Sequence, residues 1–172
     1  KGKGLVYQNP FVIAFNHQER GDMPDASYEI HDGAIILGGG LASIDVAKIH
    51  TLQRTVEVLT ERGIKTDVEE LEIKGIPKIL DKHGISWDEL GITPPTIYYR
   101  RRVEDMPLMS APEGADEARL AKVEAGRKRM LEKSTSKYLF KVEPLSAPDG
   151  LIVENDRLVG IVFRRTQIKD GR

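Results

Sequence analysis

The apolar residues divide the chain into an amino-terminal lead and a body in which strands and helices alternate. In residues 1–30 one compact apolar stretch, Phe11-Val12-Ile13-Ala14-Phe15, follows Pro10 and gives way to polar Asn16-His17-Gln18-Glu19-Arg20-Gly21. Pro10 suits the first turn of a helix with Asn9 as its cap. This lead is therefore expected to be a short helix plus a linker. The body opens on Ala34-Ile35-Ile36-Leu37, apolar at every position. Such a run suits a parallel strand covered on both faces. Gly38-Gly39-Gly40 ends it, and a helical pattern then runs from Leu41 to Arg62 through Ile44, Ala47, Ile49, Leu52, Val56 and Leu59. Gly63 fits the residue just past the helix end.

Farther on the periods shorten. Residues 64–93 carry apolar positions at roughly helical spacing from Val68 to Leu80, broken by Gly75 and Pro77, and then a Ser86-Trp87-Asp88-Glu89-Leu90 turn with Ser86 as cap. This region is expected to form a small helical lobe over one sheet edge, away from the glycines, with Trp87 as an anchor. A second strand is expected at Thr96-Ile97-Tyr98-Tyr99, a charged helix from Gly114 to Ser134, and a third strand from Tyr138 to Val142. Leu151-Ile152-Val153, a Glu154-Asn155-Asp156-Arg157 turn and Leu158 to Phe163 predict a hairpin.

The glycines turn this pattern into candidate chemistry. Gly38-Gly39-Gly40-Leu41-Ala42-Ser43 matches G-x-G-x-x-small between a strand and a helix, the context in which that motif binds a dinucleotide. The first glycine permits the tight turn, and the next lets backbone approach a pyrophosphate. The small third residue lets helix and strand pack closely. Backbone N–H groups at the helix start then face the phosphates. Asp45 is expected on the first turn of that helix, as a dipole partner or a polar contact near the cofactor. The expected fold class is α/β: a Rossmann-like βαβ nucleotide-binding domain over 31–172, with a parallel central sheet, a β-hairpin and a helical insertion at about 64–93.

The second strand ends in Arg100-Arg101-Arg102. In this type of fold an acid there bonds the ribose 2′-hydroxyl of NAD, whereas arginine accommodates the 2′-phosphate of NADP. Planar guanidinium groups bond phosphate in pairs. The run therefore points to NADPH rather than NADH. It lies much farther from the glycines than the usual interval of about 20 residues, which makes 64–93 an insertion.

Composition narrows the alternatives. The 172 residues are 40% hydrophobic and 31% charged, an ordinary globular balance, with a formal net charge of -1. No basic excess draws the chain to nucleic acid, and no apolar run of about 18 residues suits a membrane span. There is no cysteine, so disulfides, thiolate zinc and an all-cysteine iron–sulfur cluster within this chain are excluded. His17, His31, His50 and His83 show no metal-ligand spacing and read as surface or linker residues. Met106-Pro107 reads as a turn. No catalytic set and no metal site emerges, which suits hydride transfer, where the cofactor carries the chemistry. A cytoplasmic setting is expected. The Lys1 start and polar Lys169-Asp170-Gly171-Arg172 end read as those of a fragment.

Two segments together resemble the pyridine-nucleotide domain of the glutamate synthase small-subunit-like flavoproteins, FAD/NAD(P)-dependent oxidoreductases of the pyridine nucleotide-disulfide type. Ile35-Ile36-Leu37-Gly38-Gly39-Gly40-Leu41-Ala42-Ser43-Ile44-Asp45 is similar to that family's V-V-V-I-G-G-G-D-T-A-M-D. Ile97-Tyr98-Tyr99-Arg100-Arg101-Arg102 through Met106-Pro107 is similar to its V-Y-R-R-x-x-x-x-M-P. Tyr138-Leu139-Phe140, Val142-Glu143-Pro144 and Asn155 to Ile161 extend the likeness. Leu41 departs from it, standing where the family has a polar residue.

The resemblance implies an NADPH-binding domain that delivers hydride to an FAD held by a flanking FAD domain outside these residues. An iron–sulfur or other electron-acceptor subunit would lie beyond it, and these residues alone would not be active. Gly38, Gly40 and Ser43 would cradle the pyrophosphate, with Gly39, Leu41 and Ala42 of the same turn also among the cofactor-binding residues. Arg100 and Arg101 would hold the 2′-phosphate, with Arg102 as a third contact. A different class of function is a degenerate module of the same fold, used in subunit assembly or protein interaction.

Overall fold

The computed structural model describes residues 3–18, 28 and 30–168. It is a mixed α/β structure around a three-stranded parallel sheet of order β1-β2-β3: β1 (Ile35–Leu37), β2 (Thr96–Tyr98) and β3 (Lys141–Glu143). The register aligns Ile36, Ile97 and Val142 in one row. That row faces α2 (Leu41–Glu61) and α5 (Glu117–Tyr138) across a core of Ile44, Ala47, Leu131 and Phe140. Met106, expected as a turn residue, is fully buried there.

Among the described residues the second face of the sheet is only partly covered. Ile35 and Leu37, flanking buried Ile36, are 38% and 46% exposed. The unbroken apolar run of β1 therefore does not reflect burial on both sides. On that open face the ring of Tyr98 stacks on Phe163, with centroids 4.1 Å apart.

The first helix, α1 (Gln8–Gln18), begins earlier than expected, so Asn9 lies inside it rather than capping it, while Pro10 does fall in its first turn. The linker expected in the rest of the lead falls largely on residues outside those described. The core of α2 extends into a second cluster, where Leu52, Val58 and Leu59 meet the 64–93 lobe. Its buried Thr51 and Thr55 satisfy their hydroxyls by donating to the carbonyls of Ala47 and Thr51, one turn back. His50 is also buried, not on the surface. Its Nε2–H donates to the His31 carbonyl at 2.7 Å.

The lobe is helical, as the periodicity predicts. α3 (Val68–Lys74) starts at Asp67, whose carboxylate accepts the Glu70 N–H at 2.7 Å. Gly75, at φ 89°, turns the chain into α4 (Ile76–His83). A single 3-10 turn, Asp88–Leu90, follows. Trp87, not Ser86, precedes that turn; the N–H and hydroxyl of Ser86 instead donate to the Glu89 carboxylate. Leu71, Ile76, Ile79 and Leu80 bury themselves against α2, with Trp87 packed on the cluster. The lobe rests on helices rather than on a sheet edge.

The last strand of the sheet starts later than expected. Tyr138 ends α5, and Leu139 adopts φ 57° as its cap. The hairpin is longer than expected: β4 (Ser146–Glu154) pairs antiparallel with β5 (Arg157–Arg165). Asn155 and Asp156, both at positive φ, form its two-residue turn. No helix is long and apolar enough to cross a membrane among the described residues.

Candidate functional site

Because β1 and β2 run parallel and in register, their carboxyl ends lie side by side, the position where open α/β sheets bind ligands. The N–H of Gly38 donates to the Tyr98 carbonyl at 3.2 Å, and one residue on, the Tyr99 ring lies against Gly39. A Cβ on Gly39 would run into that ring. Gly38 has φ 149°, and a Cβ there would meet the hydroxyl of buried Ser43. Glycine followed by a small residue is thus what lets the turn close. Gly40 differs: space is open for 4 Å around the place its Cβ would take.

The turn leads straight into α2, whose cap is Gly40 without any side-chain hydrogen bond. Ser43 N–H closes back on the Gly40 carbonyl at 3.0 Å. The N–H groups of Gly39, Gly40, Leu41 and Ala42 find no partner among the described residues. Such groups, with the positive end of the helix dipole behind them, favour an anion. Leu41 is exposed and Ala42 half-buried beside them. Asp45 does not sit on the first turn as expected. It lies a turn further along α2 and pairs with Lys48 at 3.6 Å. Lys48 also reaches Glu72 of the lobe at 2.9 Å. Burial pulls the Lys48 ammonium down, but Glu72 and Asp45 together outweigh it and hold its pKa above the ordinary value.

The three arginines part company. Arg100 and Arg101 are exposed, and neither side chain makes a hydrogen bond or ion pair among the described residues. Arg102 turns back and grips Asp105 with both arms of its fork, at 3.0 and 2.9 Å. That bond holds the Asp105 carboxyl below the usual carboxylate range. Arg102, expected as a third phosphate contact, is thus already engaged by a carboxylate.

Side chains not singled out by sequence shape this end of the sheet. The Tyr99 hydroxyl donates to the Asp105 carbonyl at 2.9 Å. Arg127 of α5 donates to the carbonyls of Met109 and Glu104, at 2.8 and 3.2 Å, closing the loop after the arginines. An aromatic residue directly before an arginine run, opposite three glycines, was the available signal for Tyr99; Arg127 left none. An open groove of about 600 Å³ between β3 and α5, lined by Tyr98, Leu131, Phe140 and Lys141 among others, includes no residue of the glycine turn or arginine run.

No family model matches this chain, and neither a curated protein nor a solved structure matches it. The chemistry of the site rests on its own residues.

Proposed function

We propose that this chain is a Rossmann-like domain that binds NADPH and presents its nicotinamide to an FAD held by flanking sequence, as part of an oxidoreductase. One observation carries the reading: Tyr99, whose ring lies against Gly39, directly precedes two exposed arginines, and the N–H groups of that glycine turn find no partner among the described residues. The two halves fit two parts of one molecule. The backbone groups of Gly39 to Ala42 suit a pyrophosphate, and the open space at Gly40 leaves room for its approach. Arg100 and Arg101 suit a phosphate dianion some way along the same ligand.

The bound nicotinamide would supply the hydride. The protein's own share is binding and orientation. The turn neutralises the pyrophosphate with dipoles rather than full charges, so it accepts NADPH and NADH alike. The arginines add charge-assisted bonds that only the 2′-phosphate can receive. Selectivity is therefore expected to reside in the arginine run after β2 and general affinity in the turn.

Titration calorimetry on the full-length protein tests this. Both nucleotides are expected to bind, NADPH more tightly by at least tenfold. Equal affinity, or preference for NADH, would overturn the cofactor assignment; no binding of either would overturn the domain's role.

A further inference from the structure

The arginine run is held by its backbone as well as presented by its strand. Three consecutive carbonyls, those of Tyr99, Arg100 and Arg101, each accept a hydrogen bond from the base of the hairpin. The Ser146 N–H reaches the first at 2.9 Å and the Leu145 N–H the third at 3.0 Å. Between them the Thr166 hydroxyl donates to the Arg100 carbonyl at 2.7 Å. Thr166 N–H in turn donates to the Leu145 carbonyl at 2.9 Å, which closes the two hairpin ends on each other. Tyr99 N–H is tied to the Glu143 carbonyl at 3.0 Å.

The clamp holds an unfavourable conformation. Leu145 has φ 55°, a left-handed backbone that a leucine rarely adopts. Such a residue persists where its surroundings over-determine it, and these places cluster at functional sites. Both backbone polar groups of Leu145 are engaged, one with the arginine run and one with Thr166. Arg165 reinforces the same corner by pairing with Glu143 at 2.6 Å and donating to the Pro144 carbonyl. Elsewhere the hairpin is largely exposed, with Leu151, Val153 and Val159 all close to or above half exposed. Its base is tied to the arginine run, and farther along Phe163 stacks on Tyr98 of β2.

We infer that the hairpin base is a specificity device and Thr166 a positioning residue, fixing the Arg100 backbone so that the Arg100 and Arg101 side chains converge on one phosphate. This rests on the NADPH reading above. Exposed arginine side chains are flexible, and two of them make a selective site only if their stems are anchored. Thr166 anchors by its side chain, which makes it the member of the clamp that substitution can remove without breaking the chain path.

The test compares Thr166→Val, Thr166→Ala and Thr166→Ser with wild type in the full-length protein, titrating NADPH and NADH against each. Loss of one hydroxyl hydrogen bond is expected to raise the NADPH dissociation constant about three- to tenfold. NADH should be unmoved, and Ser should restore wild-type preference. Val and Ala together distinguish the missing hydroxyl from a packing defect of either side chain. Equal weakening of both nucleotides, or no change in either, would overturn the inference while leaving the NADPH reading intact. A wild type without NADPH preference would overturn that reading, and the inference with it.

Discussion

The helical lobe and the hairpin are both additions beside the three-stranded sheet, and they are attached in opposite ways. The lobe is joined by apolar burial: Leu71 and Ile76 are fully enclosed and Ile79 nearly so. Of its polar links to the body, Lys48–Glu72 is the clearest. The hairpin buries little, yet its base meets three successive carbonyls of the arginine run. Burial is non-directional and scales with area, so it suits an element that stabilises. Hydrogen bonds fix direction and register, so they suit an element that aims. The lobe is accordingly assigned to stability and the hairpin base to the site.

The largest effect that could break this contrast lies in the lobe. Leu71→Ala should lower the free energy of unfolding by about 2–5 kcal/mol, through lost burial and the cavity left behind. Urea denaturation measures it. The ratio of NADPH to NADH affinity should stay at the wild-type value. A changed ratio in a folded variant would give the lobe a part in the site.

A pH effect comes next. His50 is buried, and its Nδ1 finds no partner among the described residues. Burial pushes its pKa below the ordinary 6.5, against the opposing pull of the His31 carbonyl, Asp32 and Glu57. The unfolded chain therefore takes the proton first. Stability from this group is complete above the ordinary value and declines as pH falls through it. The decline is at most ~1.4 kcal/mol for each pH unit and levels off below the folded-state pKa. Denaturation at pH 7.5 and 5.5 should show a steeper loss in wild type than in His50→Gln. Parallel losses would mean that another group governs the acid limb.

The smallest effect sharpens the account of the arginines. Asp105→Asn removes the carboxylate that engages Arg102. A pair this close to solvent contributes little to stability by itself. Freed, Arg102 should tighten NADPH roughly two- to fivefold and leave NADH alone. Unchanged NADPH binding would show that Arg102 points away from the phosphate in any state.

Much of the frame was legible because it rests on local rules. An apolar run, three glycines and an amphipathic stretch place β1, its turn and α2 within a residue or two. Gly75 and Pro77 divide the lobe into two helices, as glycine at positive φ and proline in a first helical turn do. Long-range relations left no such trace. The open face at Ile35 and Leu37 depends on what lies over the sheet, which β1 cannot express. The burial of His50 depends on how residues 31 and 32 lie across α2. Within the site, the turn and the arginine run were visible as motifs, but the diversion of Arg102 to Asp105 turns on a rotamer. The bond from Thr166 to Arg100 joins residues 66 positions apart, where no periodicity records it.

The central claim is that charge on Arg100 and Arg101 selects the 2′-phosphate. Its most direct measurement is the pair of dissociation constants, for NADPH and NADH, in the full-length protein carrying Arg100→Ala or Arg101→Ala. A hydrogen bond to a charged group contributes roughly 1.5–3 kcal/mol, so NADPH should weaken by about ten- to a hundredfold while NADH changes little. Equal weakening of both nucleotides, or none of either, would contradict the account and leave the arginines as a solvated rim.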